Sequence, residues 1–166
     1  MSSPASIAKH PVHPMLVAFP IALWVFSLVC DIVRLFAGSE VWSTIALYSM
    51  GAGIIGALLA AVPGFVDFLS IEEAAMKRLA LTHLCLGLGA VLVFTLNFWL
   101  RHRSAQPATL TLLLSILGVV LTGFGGWLGG EMVYVKGMAV EAVERLANQK
   151  NPPKSEILKT TMKQAG

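Results

Sequence analysis

Four histidines occur in 166 residues, and two share one short phrase, His10-Pro11-Val12-His13-Pro14, just ahead of an apolar run that begins at Met15. Imidazole nitrogens ligate transition metals and haem iron, and they exchange protons near neutral pH. A third, His83, lies inside a later apolar run, with Gly87 and Ala90 four and seven residues on. Small neighbours leave room beside the ring for a flat ligand or for another helix. Asp67 and Glu131 stand near the ends of apolar runs, where a carboxylate can complete a metal site or handle a proton. His83, His13 and His10 are therefore candidate ligands for haem b. His10, His13, His83, Asp67 and Glu131 form the alternative set, for zinc, copper or iron. Plainer readings stand beside these: solvated imidazoles capping a helix mouth, a packed and hydrogen-bonded His83, and an Asp67 held by water or a backbone donor. No serine or cysteine nucleophile is paired with a base, so no catalytic residue is assigned and a stand-alone enzyme is not expected.

The elements that must position these residues are set by composition. Hydrophobic residues make up 56% of the chain and charged residues 13%, against about a quarter charged in soluble domains. Most of the charges lie between and after four apolar runs, about Met15 to Phe36, Trp42 to Phe65, Leu79 to Leu100 and Leu110 to Leu128. Each is near the roughly 20 residues that cross a hydrocarbon core as a helix. None alternates with period two, which excludes a barrel. The expected fold is an all-α, integral membrane, up-down four-helix bundle, with lipid bilayer as its first partner. The first run is too long for a cleaved signal segment and is expected to be retained. A net charge of +3 without a basic face argues against nucleic acid.

Four crossings return both termini to one face, side A. His10, His13, Asp67, His83 and Glu131 all belong to that face, so the topology lets them meet. Both histidines of the first phrase precede proline, which disfavours helical geometry there. That predicts a stiff, non-helical lip, with the helix starting near Pro14 or Met15. Side A also collects more lysine and arginine, which leans towards cytoplasmic termini in a bacterial inner membrane. On side B, Asp31 and Arg34 stand three apart and are expected to pair. Asn97 is expected to bond between helices, and His102 to be solvated.

Small residues recur at four-residue spacing in the second run, as Ser49, Gly53, Ala57 and Ala61 and as Gly56, Ala60 and Gly64. The fourth run ends in Gly123, Gly125, Gly126, Gly129 and Gly130. Such stripes let helices approach closely in lipid, and they suit homo-oligomers or a larger membrane complex. No internal repeat is evident, which ranks a transporter below a redox or ligand-binding protein and an accessory subunit. Residues 1–137 read as the membrane domain. Residues 138–166 read as a short amphipathic helix and a polar basic tail, broken at Asn151-Pro152-Pro153.

The order of these features resembles a family of bacterial four-helix membrane proteins, the domain of unknown function 2231. The resemblance rests on His10-Pro-Val-His13-Pro-Met-Leu-Val-Ala-Phe19-Pro20 with Asp31, on Gly64-Phe-Val-Asp67, on His83, and on Gly129-Gly130-Glu131-Met-Val-Tyr134 with Gly137. It spans roughly residues 8 to 140. It implies the four-helix architecture and names no reaction. Relatives fused to iron–sulfur or cytochrome modules imply a redox setting, including a larger redox complex as partner.

Overall fold

A computed structural model describes residues 3–8, 10–103 and 108–138. A two-residue antiparallel hairpin, β1 (Ser6–Ile7) and β2 (His10–Pro11), leads into α1 (Val12–Ala37), α2 (Glu40–Leu69), α3 (Ala74–Arg103) and α4 (Ala108–Gly130). A π-helical turn, Glu131–Val135, continues α4. All four helices are long and apolar enough to cross a membrane. The amphipathic helix expected after Met138 lies outside the described residues.

Local chemistry sets the helix ends. Gly38 takes a left-handed φ of 65° and donates its N–H to Arg34 O at 2.9 Å, a conformation that costs glycine little. Ser39 then caps α2, its Oγ accepting from Val41 N–H. Two residues thus reverse the chain and make α1 and α2 antiparallel neighbours. At the other end Ser70 Oγ donates to Asp67 O at 2.7 Å and closes α2.

The helix start corrects one expectation. His10 is extended, but His13 is already helical, with α1 beginning at Val12. Pro14 falls in the first turn, where backbone N–H groups have no intrahelical acceptor, so proline there forfeits no bond.

Packing follows the small residues. Trp24 lies over Gly53, Pro20 against Gly56, and Phe94 over Gly118. Trp24, Met50, Ala90 and Phe94 form the mid-bundle core, and Ile71, Met76, Ala80 and Met132 form a second cluster at side A. Large apolar side chains such as Phe19, Leu58, Leu92 and Phe124 point outward, as lipid contact requires.

The packing also contains an internal repeat, which the sequence reading did not anticipate. Positions in α1 correspond to positions 70 residues later in α3: His13 to His83, Trp24 to Phe94, Ser27 to Asn97 and Asp31 to Arg101. Positions in α2 correspond to positions 65 residues later in α4: Ala46 to Thr111, Gly53 to Gly118, Ala60 to Gly125 and Gly64 to Gly129. Equivalent residues make equivalent contacts. Ser27 and Asn97 donate to the carbonyls of Ala46 and Thr111. Three equivalent pairs also touch each other. His13 faces His83, Trp24 stacks on Phe94 at 4.3 Å, and Asp31 binds Arg101. A pseudo-two-fold axis therefore runs along the bundle between two helical hairpins, α1–α2 and α3–α4.

Candidate functional site

Three layers mark this axis. At a helical rise of about 1.5 Å per residue, His13 lies roughly 16 Å from Trp24 and roughly 27 Å from Asp31. The histidine layer is therefore at side A and the ion pair near side B.

In the histidine layer, His13 Nδ1 is 2.7 Å from Ala60 O of α2, and His83 Nδ1 is 2.8 Å from Gly125 O of α4. A carbonyl oxygen can only accept, so each Nδ1 carries the proton. In the neutral ring the lone pair is then on Nε2, across the ring from the carbonyl. Each ring rests on a glycine one turn beyond its acceptor. A Cβ on Gly64 would stand 2.6 Å from His13 Nδ1, and one on Gly129 would stand 3.2 Å from His83 Cε1. These glycines therefore hold the histidines close to the neighbouring backbones. The two ring centroids are 6.1 Å apart with perpendicular planes.

The other candidates lie outside this pair. His10 is exposed, and its Nδ1 is 2.9 Å from Ala8 O within its own turn. Asp67 is buried, and its Oδ1 accepts from Ser3 Oγ at 2.7 Å and from Ala5 N–H at 3.1 Å. It fastens the N-terminal strap to α2, and Val12 N–H, donating to Ala5 O, carries that anchor to the start of α1. Glu131 opens the π turn, and its backbone O accepts from Lys136 N–H. Among the described residues, no three His, Cys, Asp or Glu side chains are grouped to hold a metal ion. The structure thus brings His13 and His83 together without adding His10, Asp67 or Glu131.

The ion pair at the other end also corrects an expectation. Asp31 does not pair with Arg34. Arg101 binds it through both guanidinium ends, at 2.6 and 2.7 Å, and Ser115 Oγ donates to Asp31 Oδ2 at 2.7 Å. Asp31 faces the bundle interior at the level of Arg101, whereas Arg34, one turn nearer the helix end, reaches Glu40 of α2 at 2.7 Å. Asn97 Oδ1 accepts from Arg101 Nε, and Asn97 Nδ2 donates to Thr111 O and Ser115 Oγ. The expected interhelical bond from Asn97 is thus present. Among the described residues no buried side-chain polar atom lacks a partner. His102 is exposed and stacks on Phe98.

Arg101 was missed as a partner because it sits beside His102 and Arg103, where it reads as one of two loop arginines. The helical repeat offered the signal: Asp31 and His13 are 18 residues apart, and so are Arg101 and His83.

A family model described as a predicted membrane protein, DUF2231, matches residues 9–142. No curated protein and no solved structure matches the chain.

Proposed function

This chain belongs to the DUF2231 family of predicted membrane proteins, and we propose that within that architecture His13 and His83 hold haem iron or a transition-metal ion at side A. One observation carries the reading: each Nδ1–H donates to a carbonyl of the neighbouring helix. Metal-bound histidines usually make such a bond with the nitrogen that does not ligate, because it fixes the tautomer and raises ligand basicity. Bound iron or copper would supply one-electron chemistry. Asp67 would act from a distance, by holding the strap that leads into His13. The excess of Lys and Arg at side A supports a cytoplasmic-facing site in a bacterial inner membrane, serving a larger membrane redox complex.

The test is an absorbance spectrum with elemental analysis on protein purified from its native membrane, beside His83→Ala. A Soret band or a stoichiometric metal, lost in the variant, supports the reading. A colourless, metal-free protein that co-purifies with one membrane complex at fixed stoichiometry overturns it in favour of an accessory subunit.

The internal repeat favours one second reading. Parallel repeats about an axis along the membrane normal also build small transporters, with the substrate site on that axis. Uptake into proteoliposomes that depends on both His13 and Arg101, without a bound cofactor, would favour transport.

A further inference from the structure

We infer that the ligand is a single haem, whose iron takes one imidazole from each hairpin on the pseudo-two-fold axis. The inference rests on reading His13 and His83 as ligands and goes further, by naming the group and limiting its protein donors to two.

The repeat supplies the first argument. His13 and His83 are equivalent positions, each bonded to an equivalent carbonyl and resting on an equivalent glycine. The remaining candidates have no ligand as counterpart. His10 corresponds to Ala80, Asp67 to Met132 and Glu131 to Val66. An axial site built from both hairpins therefore has two protein donors, in accord with the lack of any three-residue ligand group among the described residues.

Donor number then selects the class. Structural zinc takes about four protein ligands and catalytic zinc about three. Haem iron needs only axial ligands, because the macrocycle supplies the rest. Spacing agrees. A ring nitrogen lies about 1.2 Å from its centroid and about 2.0 Å from a bound ion, so trans imidazoles place their centroids roughly 6.4 Å apart. The observed separation is 6.1 Å. His13 and His83 also both project from well-formed helices, α1 and α3, as ligands in bundle cores do. Gly87, one turn beyond His83, has nothing within 4 Å of where its Cβ would stand. That position of α3 is exposed.

The experiment titrates haemin into the full-length protein in detergent, followed by absorbance and electron paramagnetic resonance. The expected product is one low-spin ferric haem per chain. Its resonance should be the strongly anisotropic type of perpendicular axial imidazoles, because the ring planes stand at 90°. His13→Ala and His83→Ala should each weaken haemin binding by more than about ten-fold and turn the residual complex high-spin, to the same degree. His13→Leu and His83→Leu, which fill the space without a ligating atom, repeat the comparison if an alanine variant does not fold by circular dichroism. His10→Ala and Glu131→Gln should leave the spectrum unchanged. Loss in only one histidine variant, or in either of these two, overturns the inference. Bound zinc or copper without haem overturns it while leaving the ligand site standing. Neither haem nor metal overturns both.

Discussion

Arg101→Met is the sharpest test of how the two hairpins are joined. In the native protein the Arg101 and Asp31 side chains are 7% and 5% exposed, so water cannot replace a lost partner. The substitution removes two charged bonds to Asp31 and further bonds to Asn97, Thr111 and Ser115. Asp31 keeps only Ser115 Oγ among its partners here. Hydrogen bonds to charged groups are each worth about 1.5–3 kcal/mol, and breaking one half of a buried pair costs about 3–5 kcal/mol. The expected loss is thus about 3–4 kcal/mol, read by unfolding in mixed detergent–SDS micelles. The double variant Asp31→Leu with Arg101→Met removes both charges and should return to within about 1 kcal/mol of the native protein. The reasoning is refuted if the single variant costs less than about 1 kcal/mol, or if the double variant costs the sum of the singles. Additivity of that kind would mean the two side chains do not interact.

Three further outcomes follow from the same geometry. Gly64→Ala puts a Cβ 2.6 Å from His13 Nδ1; it should displace the ring, destabilise the fold by about 1–3 kcal/mol and weaken haemin binding, while Gly126→Ala, which meets nothing within 4 Å, should do neither. Trp24→Ala removes a ring that is 4% exposed and stacked on Phe94, and unfolding titrations should show a loss of about 3–5 kcal/mol. Asp67→Ala frees Ser3 and Ala5, so hydrogen exchange at Ala5 should quicken by about ten-fold, the equivalent of one lost bond to a charged acceptor. Unchanged exchange there would show that Asp67 does not hold the strap.

The membrane architecture was legible because charge is scarce and its placement periodic: four apolar runs and short connections dictate antiparallel spans. Gly56, Ala60 and Gly64 announced close packing, and α1 does pack there through Pro20 and His13. Sidedness was legible as well, since an even number of crossings must bring His13 and His83 to one face. Contact was not. Which side chain points inward depends on helix rotation, and apolar residues surround these helices on every side, so periodicity carries little information in lipid. Asp31 illustrates the limit: spacing offered Arg34, while rotation into the bundle gave it Arg101. The repeat stayed hidden because equivalent positions conserve role more than identity. Trp24 and Phe94 both stack, and Ser27 and Asn97 both donate, yet only positions such as His13 and His83 or Gly64 and Gly129 match by residue. His13 is helical although it precedes proline, because Pro14 falls in the first turn of α1, where a missing N–H forfeits no intrahelical bond.

The central claim is that two imidazoles are fixed with Nδ1 protonated and Nε2 free to ligate. Nitrogen-15 magnetic resonance of histidine-labelled protein in lipid nanodiscs reads this directly. The account predicts that His13 and His83, assigned through their alanine variants, carry the proton on Nδ1, and that only their Nε2 resonances move when haemin is added. His13 and His83 both protonated on Nε2, with no shift on addition, would contradict it.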